Sequence, residues 1–124
     1  MWQAVAIAGG GAVGALLRFY ASNGVYALLG RGFPYGTLFV NVTGSIIMGF
    51  LYVLFLDRLQ VSPELRAALL VGVLGAFTTF STFSIETLNL LENGEHIKAV
   101  MNIAMSVLLC VFGAWLGVVA GRQL

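Results

Sequence analysis

Four long apolar runs, at about 3–29, 36–56, 65–91 and 97–121, set what this chain can fold into. Each is long enough to cross the roughly 30 Å hydrocarbon layer of a bilayer, which takes about 20 residues of α-helix. Lipid offers no water to exposed backbone N–H and C=O groups, so a spanning segment must be a helix or part of a closed barrel. Barrel strands alternate apolar and polar positions over about 10 residues, and these runs are too long and too uniform for that. The connectors "GRGFPYG", "DRLQVSPE" and "ENGEHIK" hold both prolines, Pro34 and Pro63, and most of the charges. Helix breakers and charges are best tolerated in such connectors. The expected fold is an all-α membrane protein with four transmembrane helices, a single domain over residues 1–124.

Composition then excludes whole classes of function. Charged residues make up 9% of the chain, against about 25% in soluble domains, so no soluble catalytic or ligand-binding domain fits beside the four spans. A net charge of +1 leaves no nucleic-acid footprint. The single Cys110 lies inside an apolar run and says nothing about disulfides or redox compartment. His96, the single histidine, sits in a loop beside Glu92 and Glu95 and reads as solvated, so the chain is not expected to be an enzyme. "GGGAVG" at Gly9–Gly14 fits a dinucleotide-binding pattern, but that motif needs an acidic residue about 20 positions on, and nothing acidic precedes Asp57. The first apolar run has no basic region before it, which favours a retained span over a cleaved leader.

Orientation is weakly specified. With alternating helices, one side carries Arg58, Arg66 and Arg122 and the other Arg31 and Lys98. Three basic residues against two is a negligible bias under the positive-inside rule. Either orientation is set by something other than charge, or the chain inserts both ways and oppositely oriented copies pair about an axis in the membrane plane. Gly10 and Gly14, and Gly113, Gly117 and Gly121, follow the small-xxx-small spacing of close helix contacts, within one chain or between two.

Polar residues at membrane depth are the candidate functional groups. Arg18 and Glu86 are the ionisable ones; they either pair with each other or stand at the mouth of a path. Thr37, Asn41 and Ser45 recur every four residues in the second span, and Asn102, Ser106 and Cys110 do so in the fourth, so each set shares a helix face. Such stripes either glue helices together or line a polar path. With amide and hydroxyl donors but no carboxylate, a path of this kind suits a small anion or a neutral solute.

The third run contains "AFTTFSTFSIE", Ala76–Glu86. Glu64 to Leu91 is 28 residues, about 42 Å as one helix, so it must tilt or break. Gly72 and Gly75 precede the hydroxyls, which can rescue freed backbone groups, and a break near 75–80 is expected. Phe77, Phe80 and Phe83 recur every three residues and spread over a wide face.

"GxxTTFSTFSIE" after a Gly-rich helix, "GTLxVN" opening the second span and "GGxVGAxLR" in the first resemble the Fluc (CrcB) family of fluoride channels, over essentially the whole chain. The resemblance implies a multi-pass protein of the cell (inner) membrane that passes fluoride passively out of the cytoplasm. It implies an antiparallel, dual-topology homodimer in the lipid bilayer, with two pores and a third helix broken near its middle. A structural sodium ion would sit at the dimer centre on the backbone carbonyls of Gly75 and Thr78 from both subunits. The family's pore residues match Asn41, Phe80 and Phe83, and its polar track maps to Asn102, Ser106, Cys110 and Ala114, with Thr37 on the same face as Asn41. Arg18 and Glu86 match positions near the pore mouths. Family members with hydroxyls at the last two track positions differ from this chain, where Cys is a weak donor and Ala none. The rival class is a small multidrug-type, proton-coupled exporter, which needs a carboxylate in the first span; that span has Arg18 and no Asp or Glu.

Overall fold

The structure is a computed structural model that describes residues 2–124. Among these residues every regular element is helical. Helix α1 is Trp2–Leu29 and α2 is Tyr35–Val53, prolonged by a π-helical turn over Leu54–Arg58. The third run comprises α3 (Pro63–Arg66), a π-helical stretch Ala67–Val73, α4 (Leu74–Phe77) and α5 (Phe80–Glu92). Helix α6 is His96–Arg122. Four stretches, Trp2–Leu29, Tyr35–Arg58, Pro63–Glu92 and His96–Arg122, are long and apolar enough to cross a membrane. They match the four apolar runs of the sequence to within two residues at each end.

Local chemistry explains the ends. Gly30 and Gly94 close α1 and α5 with φ of 83° and 78°, the left-handed cap that glycine adopts without a Cβ penalty. Ser62 begins α3 by accepting the Leu65 N–H at 3.1 Å, with Pro63 in the first turn where its missing N–H is harmless. At the same end of the bundle Arg58 donates to the Arg122 carbonyl at 2.7 Å and Arg66 to that of Phe55 at 3.0 Å, satisfying terminal carbonyls that a helix leaves open.

The spans pack as two glycine-seamed pairs. The first meets the third where a Cβ on Gly10 would strike the Ala68 carbonyl, one on Gly14 the Val73 carbonyl, and one on Gly72 the backbone of Ile7 and Gly10. The second meets the fourth where Gly49 faces the Ala114 carbonyl, Gly117 the Ile46 carbonyl, and Gly121 Val53. With no hydrophobic drive between helices in lipid, such backbone approach is what packing has to work with. The small-xxx-small positions of α1 and α6 thus serve contacts within the chain.

In the third span the hydrogen-bond ladder stops after Phe77. Thr78 (φ −91°, ψ 161°) and Thr79 (φ −153°, ψ 119°) are extended, and α5 starts at Phe80. Several backbone groups at this interruption find partners within the chain, as burial in lipid favours. Thr78 N–H and Oγ1–H both reach the Leu74 carbonyl, at 3.1 and 3.0 Å. Thr79 Oγ1 caps α5 by accepting from Thr82 N–H at 3.2 Å. Arg18 Nε donates to the Ala76 carbonyl at 2.9 Å.

Candidate functional site

The Thr78–Thr79 interruption forms one wall of a cleft of about 420 Å³. Its other walls are α2, through Asn41, Gly44, Ser45 and Met48, and α6, through Ser106, Val107, Cys110, Val111 and Ala114. Phe80 and Phe83 close the α5 side, ring centres 5.3 Å apart and tilted by 44°. The sequence-predicted residues Asn41, Ser45, Phe80, Phe83, Ser106, Cys110 and Ala114 therefore meet at this cavity, together with Thr78. None of the residues lining it is charged.

Asn41 does more here than line a wall. Its Nδ2 donates to the Thr79 carbonyl at 3.0 Å and its Oδ1 accepts the Thr79 N–H at 2.7 Å. The primary amide keeps a second N–H beyond that pairing. Phe83 is buried at 9% exposure, whereas Phe80 is 78% exposed; one ring is held by its own chain and the other is not.

The remaining polar positions form two further groups. Asn102, 1% exposed, donates from Nδ2 to Thr87 Oγ1 at 2.9 Å and accepts from Ser106 at 3.4 Å through Oδ1. Thr87 donates in turn to the Phe83 carbonyl at 2.7 Å. A hydrogen-bonded row Thr87–Asn102–Ser106 thus runs toward the cleft. Asn102 itself is behind the lining residues. Thr37, also buried, lies apart from the cleft, 3.3 Å from the hydroxyl of Tyr26. Thr37 and Ser45 share a face of α2, but eight residues separate them by about 12 Å along the axis.

Arg18 and Glu86 do not pair. Arg18 serves the Ala76 carbonyl, and Glu86 Oε2 accepts from Tyr26 at 2.7 Å. Among the described residues the one ion pair is Lys98 with Glu95 at 3.3 Å, a half-exposed pair of the kind that stabilises little. Gly75 is exposed on the outer face of α4. In an unbroken helix its carbonyl would accept from Thr79 N–H; Asn41 has taken that donor. Thr78, extended, also lacks a helical donor for its carbonyl. Both are free oxygen donors of the hard type that suits an alkali cation.

Sequence reasoning assigned no role to Thr79, Tyr26 or Thr87. Thr79 lies within the hydroxyl-rich motif, which was its signal. Thr87 follows Glu86 as one more hydroxyl in an apolar helix. Tyr26 looks like an ordinary aromatic near a span end and carries no such signal.

Residues 5–118 match the family model described as CrcB-like protein, Camphor Resistance (CrcB). The chain is 58% identical over 119 residues to the fluoride-specific ion channel FluC of Methylococcus capsulatus, covering 96% of this chain and 52% of that protein, about half its length. It is 59% identical over 116 residues to the FluC of Magnetococcus marinus, covering 94% of each. Against the FluC of Geobacter sulfurreducens it is 51% identical over 124 residues, and both chains are covered completely.

Proposed function

This chain belongs to the CrcB family, and on that footing we propose that it is a fluoride-selective channel of the inner membrane, a multi-pass protein that lets fluoride leave the cytoplasm passively. The observation that carries the reading is the uncharged cleft on which Asn41, Phe80, Phe83 and Ser106 converge. Fluoride is small and strongly hydrated, so a selective path must replace its water with several neutral donors and still release it. The cleft offers an amide, hydroxyls and the positive edges of two aromatic rings, and no fixed cation that would trap the ion. It also offers no carboxylate for exchanging protons, which a multidrug-type exporter needs.

The finer organisation belongs to the same proposal. The interruption at Thr78–Thr79 is read as the family's broken third helix, and the functional unit as an antiparallel, dual-topology homodimer with two pores. Supporting this are the outward faces of Phe80 and Gly75 in the single chain and the near-equal basic charge at its two ends. At the dimer centre the carbonyls of Gly75 and Thr78 would hold a structural sodium ion, which supplies positive potential between the pores. Asn41 shapes that site by withdrawing Thr79 N–H from Gly75.

Liposomes loaded with fluoride and carrying the purified protein test the reading. Fluoride should appear at an external electrode once a potassium ionophore balances charge, and chloride-loaded vesicles should stay silent. Absence of fluoride release, or equal chloride release, overturns it.

A further inference from the structure

The direction of every hydrogen bond in the Thr87–Asn102–Ser106 row follows from its far end. Thr87 Oγ1 lies 2.7 Å from the Phe83 carbonyl, an oxygen that can only accept, so the Thr87 hydrogen goes there. Thr87 then has only a lone pair for Asn102, and the amide must turn its Nδ2 toward Thr87, at 2.9 Å. That leaves Oδ1 for Ser106, which donates its own hydrogen to it at 3.4 Å. One backbone carbonyl therefore dictates the polarity of the whole row.

Ser106 is the member of the row that lines the cleft. With its hydrogen given to Asn102, its oxygen keeps lone pairs and has no donor for an anion. An anion in the cleft gains this hydroxyl only by drawing the hydrogen away from Asn102. The links lengthen toward the cleft, from 2.7 to 2.9 to 3.4 Å. The last is longer than the usual O–H···O range of about 2.5–3.0 Å, so the bond that gives way first is the one beside the cleft. Releasing the hydrogen has a cost. Asn102 is 1% exposed, and its oxygen, shut off from solvent, is left without a donor while the hydrogen is away, which opposes a tight hold on the ion. When the ion leaves, the hydrogen returns to Asn102.

We propose that Thr87 is a positioning residue for anion passage: by fixing Asn102 with its oxygen toward Ser106, it makes the Ser106 hydroxyl a retractable donor, given to an anion in the cleft and taken back by Asn102 as the ion departs. This rests on the channel reading above. It supplies what a conducting site needs, a hold strong enough for entry and weak enough for exit. Thr87 acts through Asn102, since it is buried and lies outside the cleft lining.

Initial fluoride efflux from liposomes is measured over a range of internal fluoride concentrations for the wild type, Thr87→Val, Thr87→Ser and Asn102→Leu. Thr87→Val removes the group that orients Asn102, and Asn102→Leu removes the oxygen that takes the hydrogen back. Both should hold fluoride longer, with the half-saturating concentration falling by about threefold to tenfold and the saturating rate falling too. Thr87→Ser keeps the hydroxyl and should stay within about twofold of the wild type. In a Ser106→Ala background, where there is no hydrogen to retract, Thr87→Val should move the half-saturating concentration less than about twofold. A purely structural role would lower the rate at every concentration without lowering that midpoint. An unchanged or raised midpoint in Thr87→Val, or in Asn102→Leu should Thr87→Val not fold, overturns the inference alone, as does an equal shift in the Ser106→Ala background. A wild-type protein that conducts no fluoride overturns the channel reading with it.

Discussion

The side chain of Asn41 and the backbone of Thr79 are joined by two hydrogen bonds, 3.0 Å from Nδ2 to the carbonyl and 2.7 Å from the amide N–H to Oδ1. The side-chain amide pairs with extended backbone much as a neighbouring strand would, in a place where lipid supplies no alternative partner.

Asn41→Ala is therefore expected to destabilise the fold as well as the pathway. Each Thr79 group left without its partner costs about 1–3 kcal/mol. Asn41→Asp keeps the acceptor for Thr79 N–H but turns a carboxylate oxygen on the Thr79 carbonyl, and should abolish fluoride efflux. Thermal unfolding in detergent reads the first effect and liposome efflux the second.

The glycine seams make a contrast that separates close approach from propensity. Gly117→Val drives a side chain into the Ile46 carbonyl, a clash with backbone that should destabilise by about 3 kcal/mol, the upper part of the overpacking range, or prevent folding. Nothing lies within 4 Å of a Cβ at Gly9, so Gly9→Ala should gain roughly 0.5–1 kcal/mol of helix propensity. Size-exclusion profiles and melting temperatures of the two variants check this.

Phe80→Ile and Phe83→Ile should each lower fluoride efflux more than about tenfold, equivalent to roughly 1.4 kcal/mol of barrier, because an aliphatic side chain has no positive edge to offer. Their effects on the isolated chain should differ. Phe83 is buried and its replacement should loosen the α5 side of the cleft, whereas Phe80 is 78% exposed and should leave monomer stability unchanged. Efflux and unfolding measured on the same preparations separate the two.

Backbone carbonyls cannot be removed by substitution, so the sodium ion proposed at Gly75 and Thr78 is itself the variable. Preparing and assaying the protein with N-methylglucamine in place of sodium should lower efflux and weaken the proposed dimer, followed by crosslinking between identical residues. Restoring sodium should reverse both changes.

The four spans were legible because a bilayer imposes a length and a polarity that few other sequences satisfy, and the runs 36–56 and 97–121 carry that signal almost without interruption. The spacing of Gly113, Gly117 and Gly121 was legible as close approach, although only the structure names α2 as the neighbour. Asn41 was visible as a candidate donor, while its pairing with Thr79 depends on the register of α2 against the third span, which no local pattern encodes. The same holds for Glu86. Its sequence position suggests Arg18 as partner, but Arg18 is held by Ala76, and Tyr26, 60 residues from Glu86, supplies the donor. Thr37 and Ser45 share a helical face yet serve different neighbourhoods, because a stripe specifies direction and not depth.

The two glycine seams are interleaved along the chain, the first span with the third and the second with the fourth. This bears on biosynthesis. A nascent chain that has emerged only as far as Arg58 holds one member of each pair and the partner of neither, so its first two helices wait in the bilayer without their close contacts. The first seam closes once the third span has been inserted, and the second only when Gly113–Gly121 arrives at the end of translation. Release of the chain before the third span would leave the first two helices in lipid with neither seam closed.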